Sequence, residues 1–198
     1  MTSRRLSSAA LVVYAFAVAL GLGVPSAYWA VKGEYPVGGQ RVGPWRTWPA
    51  VGSNRVDPYA RAIIARRAEI PLATGEGLAL TATADSGGQV LDGACAYRIG
   101  STVPQARLWT LTVYDADGRL RVSDTVRAGI TSAEILREAD GRFAVTVAPG
   151  ARPGNWLKSP EGGRFTMVLR LYDTSVAASA ASLDARALPA IERLECGA

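Results

Sequence analysis

The sequence predicts a mainly β protein: a jelly-roll-like β-sandwich with a short helix, preceded by one N-terminal transmembrane helix. Three observations carry this. Ser8 to Val31 is an uncharged, largely apolar run. Beyond residue 70, apolar side chains recur at every second position in short stretches. Finally, Gly 21 and Pro 11 in 198 residues punctuate those stretches more densely than a helical bundle tolerates.

The apolar run comes first. As a helix at 1.5 Å per residue it would reach roughly 36 Å, enough to cross a hydrocarbon core of about 30 Å with some tilt. Arg4 and Arg5 precede it and only Lys32 follows closely, which places residues 1–7 in the cytoplasm and the remainder outside. Tyr28 and Trp29 stand at the level of an interfacial aromatic belt. A cleaved signal peptide is the competing reading, but Pro25 and Tyr28 occupy the −3 positions of Ala27 and Ala30 and only Val24-Pro25-Ser26 is a tolerable site, so a retained anchor over 8–31 is expected. The expected location is a bacterial inner membrane, crossed once, with the C-terminal domain periplasmic.

Residues 32–56 are rich in Gly, Pro and Trp, and read as an extended connector too apolar, at Trp45 and Trp48, to be a free linker. The sandwich is expected over 57–198. It begins with a helix whose N-cap is Asp57 and whose first residue is Pro58, running to about Arg67 with Ala60, Ile63 and Ile64 inward.

Strands follow. Leu78, Leu80 and Ala82 alternate with Ala79, Thr81 and Thr83, and Ala94–Ile99 is a second run. Trp109, Leu111 and Val113 alternate with Thr110, Thr112 and Tyr114, and Asp115–Gly118 turns this strand into Arg119–Val122. Ile135–Arg137 and Phe143–Val147 read as a hairpin around Asp140-Gly141. Phe165–Tyr172 is long and apolar on both faces, residues 176–187 are Ala- and Ser-rich, and Ile191–Leu194 is a last edge strand.

Composition excludes several activities. The chain has no histidine, which removes histidine-based triads, histidine general bases and nearly all catalytic zinc sites. Neither a metal nor another cofactor is expected. Of the net charge of +5, Arg4, Arg5 and Lys32 supply three, and no basic stripe interleaves with aromatics, so nucleic acid is not an expected partner. Cys95 and Cys196 lie in the segment expected outside the cytoplasm, where a disulfide closing about 100 residues would persist.

Four residues are candidates for binding a ligand. Trp156, between two Gly/Pro clusters, could stack on a sugar or aromatic ring that Asn155 orients, or the pair could plug a sandwich end. Arg170, if buried in its apolar strand, requires a carboxylate; Glu76 is the favoured partner, with Asp85 and Asp115 as alternatives, and a ligand anion is the competing reading. Asp115, Asp117, Asp124 and Asp140 sit in or beside hairpin turns, where Asp serves local hydrogen bonds. Trp45 and Trp48, with Trp156, are candidates for an exposed partner surface.

Asn155-Trp156-Leu157, Pro160, then Phe165 leading to Leu169-Arg170-Leu171-Tyr172 resembles the closing motif of a bacterial family, the domain of unknown function numbered 1214. Gly75-Glu76-Gly77-Leu78, Leu108-Trp109-Thr110-Leu111 and Tyr114-Asp115 are similar to its pattern too, so the resemblance covers roughly 45–198. It implies a jelly-roll sandwich and an exported location, and it implies no activity. Lys158 and Asp173 depart from the family's Pro and Trp, and a membrane helix replaces the second domain of longer relatives. The first functional expectation is thus a non-enzymatic accessory, assembly or binding subunit of an envelope complex with a protein partner. The alternative is a carbohydrate- or lipid-processing enzyme with a cleft near Asn155, Trp156 and Arg170.

Overall fold

The structure, a computed structural model, describes residues 8–33, 35, 38–100, 102–120, 127–175 and 183–197. It divides into two compact units. One joins the N-terminal helix to Asp57–Ile70, and the other joins Gly38–Val56 to the chain from Pro71 onward.

In the first unit α1 spans Ser8–Ala30, 23 residues with none buried, about 35 Å of helix. It is the one span among the described residues long and apolar enough to cross a membrane. Arg4 and Arg5 lie outside the described residues. The second helix, α2, covers Pro58–Arg67. Its start follows the expected chemistry: the Asp57 carboxylate accepts from the amides of Tyr59 and Ala60, both at 3.0 Å, and Pro58 needs no partner for its nitrogen. Ala68, in the left-handed conformation at φ 50°, ends it, with the amides of Ala68 and Glu69 returning to the carbonyls of Ala65 and Ile64. Ala60 and Ile63 are buried, and Ile64 is half-buried.

The second unit holds two sheets. Its strands are β1 (Gln40–Val42), β2 (Trp45–Thr47), β3 (Gly77–Ala82), β4 (Cys95–Ile99), β5 (Leu108–Asp115), β6 (Gly129–Thr131), β7 (Val145–Ala148), β8 (Asn155–Lys158), β9 (Phe165–Tyr172) and β10 (Ile191–Cys196). The larger sheet runs β1-β2-β3-β9-β5-β6 and is antiparallel throughout; the smaller runs β10-β4-β7-β8. Period-two alternation places Leu80, Leu111, Met167 and Leu169 on one inner face and Tyr97, Val145, Val147 and Leu157 on the other, in a single core. Tyr97 meets Phe165 edge-on at 5.6 Å between ring centroids, and Trp109 stacks on Phe143 at 5.1 Å.

The structure corrects two expectations. First, residues 40–47 are not a connector: β1 and β2 form a hairpin that pairs with β3, and Trp45 is fully buried. Three-residue strands are too short to show a period, and the turn residue Gly43, at φ 60° before Pro44, supplies the positive φ that a two-residue hairpin needs first. The helix at 57–67, for its part, groups with α1 and not with the sandwich. Second, Ile135–Arg137 is not a strand. A turn links Glu138 to Arg142, but β7 finds its partners in β4 and, in parallel, in β8. Parallel neighbours usually need a crossover of a dozen or more residues. Here Pro149 to Gly154 suffices, with prolines at 149 and 153 to keep it extended and Gly154 at φ 79° to re-enter the sheet. The turn at Asp115–Gly118 forms as expected, with the Asp115 amide donating to the Arg119 carbonyl at 3.0 Å and Tyr114 bridging Leu120, while residues 121 and 122 lie outside the described residues; β5 also pairs with β9 and with β6. Asp124 and most of the Ala/Ser-rich 176–187 stretch lie outside them; Ala185–Ala187 forms one 3-10 turn.

Candidate functional site

Asn155 opens β8 and is buried. Its amide nitrogen donates to the carbonyls of Leu136 (2.8 Å) and Ala144 (3.0 Å), and its amide oxygen accepts from the Leu136 amide (2.7 Å). The side chain therefore does for residues 136–144 what the missing hairpin ladder would have done, and both amide protons are spent. Trp156 points to the opposite side of β8, half-buried, with its indole donating to the Ala148 carbonyl at 3.1 Å. Neighbours in sequence, the two side chains do not share a site.

Arg170 lies on the other sheet. In β9 it is flanked in register by Ala79 and Thr110, on the face that carries half-buried Thr166 and Val168. Its guanidinium sits 5.8 Å from the centre of the Tyr114 ring, and among the described residues it makes no ion pair. Glu76 instead accepts from the Ala73 amide at 3.3 Å. The expected Arg170–Glu76 pair is absent because alternation turns Arg170 away from the core, where water and an aromatic face suffice. The cleft expected near Asn155, Trp156 and Arg170 is not assembled, since these residues stand on different sheets.

Nor do the tryptophans make an exposed patch. Trp45 is fully buried and donates to the Pro189 carbonyl at 2.7 Å. Trp48 is half-buried, its indole so close to Gly39 that a Cβ there would come within 2.6 Å.

What the surface does expose is apolar side chain beside arginine. Leu136 is 66% exposed and Leu194 54%. Both line an open groove of about 410 Å³, together with Arg98, Arg137, Phe143 and Asn155. Asn155 fixes the Leu136 backbone, so this wall is held and not merely adjacent. Arg137 donates to the Gly141 carbonyl at 3.0 Å and lies 5.2 Å from the Phe143 ring centre. Arg98 is exposed at the middle of β4, opposite Thr146 and Glu192, and has no ion pair among the described residues. The groove's one carboxylate, Glu138, is held 3.8 Å from Arg142. Such a lining suits an anion that carries an apolar body; Thr146 is its one hydroxyl, and it has no pair of carboxylates for acid–base work. No group of His, Cys, Asp and Glu among the described residues could hold a metal ion.

Two clusters escaped sequence reasoning. Arg193 forms a salt bridge to buried Asp85 at 3.0 Å, donates to the Val90 carbonyl at 2.7 Å and lies 5.4 Å from the Tyr97 ring centre. Beside it the expected Cys95–Cys196 disulfide is formed, so the last strand is tied twice. In the first unit the Tyr35 hydroxyl donates to Glu69; burial first, then that bond and the Glu69 charge, hold the phenol above its ordinary titration range.

The family model described as "Protein of unknown function (DUF1214)" matches residues 76–176. No curated protein matches the chain. Among solved structures, the VPA0106 protein of Vibrio parahaemolyticus superimposes with a TM-score of 0.57 at 21% identity, over 71% of this chain and 36% of its own. An uncharacterised protein of Burkholderia cenocepacia gives a TM-score of 0.41 at 18% identity, over 62% of this chain and 30% of its own. The chain thus spans about a third of the length of the Vibrio protein, and that likeness supports the fold alone.

Proposed function

The chain belongs to the DUF1214 family, and on that premise we propose that it is a single-pass inner-membrane protein, N-terminus cytoplasmic, whose periplasmic sandwich serves as an accessory or assembly subunit of an envelope complex. The observation that carries this reading is a disulfide, Cys95–Cys196, in the domain that follows an apolar helix with no buried residue. Disulfides persist in the oxidising periplasm, and an unburied apolar helix of this length suits a lipid environment. The groove walled by Leu136 and Leu194 is the contact surface in this reading. Its partner is a protein segment with an acidic residue among apolar ones, which Arg98 and Arg137 receive.

Site-specific photocrosslinking in the source cells tests it. A photoreactive residue at Leu136 should yield one discrete protein adduct, and Arg98→Glu should remove it. The same probe at Arg170, on the other sheet, should yield none. Equal adducts at both positions, or none at either, would overturn the docking role. A mature protein lacking α1, found by intact-mass analysis, would overturn the anchor.

A further inference from the structure

The C-terminal end of α1 carries two exposed aromatic residues, Tyr28 and Trp29, followed by Lys32. The chain later returns α2 to this same place. Arg66 donates to the Val31 carbonyl at 3.1 Å and its guanidinium stands 5.2 Å from the Tyr28 ring centre. The Lys32 ammonium stands 5.6 Å from the centre of that same ring. Arg67 donates to the Gly33 carbonyl at 2.8 Å and pairs with Glu69 at 3.2 Å, and Glu69 is also engaged by Tyr35. Glu69, the carboxylate beside them among the described residues, is therefore already used. Lys32 and Arg66 converge on one ring with no ion pair among the described residues, although like charges brought together repel.

We propose that Tyr28, Lys32 and Arg66 form a receptor for the phosphodiester of an anionic phospholipid in the leaflet at the C-terminal end of α1. The proposal rests on reading α1 as a retained span. Three features favour this ligand. Tyr and Trp at a helix end settle at headgroup depth, which is where the two cations lie. The Val31 carbonyl takes one of Arg66's five donors, and the rest of the planar fork matches phosphate oxygens while Lys32 supplies a point charge. A zwitterionic headgroup would bring a third cation into the site, whereas an anionic one cancels the excess. Arg66 is also too far along the chain from α1 to count in setting orientation during insertion, so its charge need not oppose an N-in topology.

The test uses the full chain in nanodiscs of phosphatidylcholine with and without phosphatidylglycerol, read by native mass spectrometry of the lipids retained on release. The wild type should retain phosphatidylglycerol in preference to phosphatidylcholine. Lys32→Gln, which touches no hydrogen bond of the helix end, should weaken that preference by about fivefold, and Lys32→Gln/Arg66→Gln further. Lys158→Gln, on the sandwich, should change nothing. Equal retention of the two lipids by the wild type, or an unchanged preference in both variants, would overturn the receptor while leaving the anchor intact. A chain that does not enter the discs at all would overturn the anchor reading, and the receptor with it.

Discussion

Replacing Arg193 with methionine should destabilise the sandwich by about 3 kcal/mol, a value that follows from what each partner would be left with. The Asp85 side chain is 5% exposed and Arg193's is 26%. Breaking a fully buried ion pair costs about 3–5 kcal/mol, because the surviving charge stays desolvated. Water reaches the Arg193 side of this pair, and Asp85 keeps the Gln89 amide at 2.9 Å, so the lower end applies. With a urea dependence of about 2 kcal/mol per molar, the unfolding midpoint should fall by about 1.5 M. Asp85→Asn retains an acceptor for Gln89 and strands a partly hydrated guanidinium, at about 1–2 kcal/mol. Since the two changes remove one interaction, the double variant should cost less than their sum, with a coupling of about 1–2 kcal/mol. Tryptophan fluorescence of the full chain in mild detergent is a suitable probe: Trp45 and Trp109 are buried in this core, whereas Trp29 on α1 is already 72% exposed. Strict additivity, or two single variants within about 0.5 kcal/mol of the wild type, would refute the reasoning.

Unreduced, denatured protein should show no labelled thiol, and reduction should cost up to about 4–5 kcal/mol of stability, the chain-entropy value for a loop of 101 residues; two free thiols before reduction would contradict this. Asn155→Ala should cost about 2 kcal/mol and speed hydrogen exchange at Leu136, whose amide loses its acceptor; unchanged exchange there would show that the clamp is dispensable. Arg170→Met should shift stability by no more than about 0.5 kcal/mol, because a half-buried guanidinium over Tyr114 leaves no stranded partner. An ultraviolet pH titration should show Tyr35 ionising above the ordinary phenol range, held there by burial and by its bond to Glu69. Its folded pKa is raised, so the stability it contributes is intact below the ordinary phenol range near pH 10 and is lost as pH rises beyond it. Tyr35→Phe should abolish the late component.

The strands that run long and alternate cleanly were legible. Leu108–Asp115 and Phe165–Tyr172 each give four inward side chains or nearly so, and a period of two cannot be mistaken over eight residues. So was the helix start at Asp57-Pro58, since capping is a local interaction. Illegible features are those that depend on residues distant in sequence. Trp45 and Thr47 bury only because β3 arrives to pair with β2, and a three-residue strand has no periodicity of its own. Ile135–Arg137 carries a strand's composition, yet Asn155 takes its hydrogen bonds first. Arg170 and Arg193 both lie in strands of the sandwich. Only the register and bulge of β10 turn the second toward Asp85, so the buried pair involves a different arginine from the one its apolar neighbours indicate.

The chain's preference for arginine over lysine has a physical reading in this fold. Twenty of its 22 basic residues are Arg, a bias that charge alone does not require. Arg193 contacts a carboxylate, a carbonyl and an aromatic face at once, and Arg66 and Arg67 satisfy carbonyls beyond the end of α1 while reaching rings. A planar fork with five donors can do this; an ammonium on a flexible stem cannot hold the same three directions together. These three arginines thus close carbonyls and a carboxylate that lie elsewhere in the chain. By the same reasoning, cations without an internal carbonyl or carboxylate to close are the ones to examine for an outside ligand. Arg98, between exposed Leu136 and Leu194, and Lys32, beside Arg66 over Tyr28, are of this kind. One faces an open groove and the other the C-terminal end of α1.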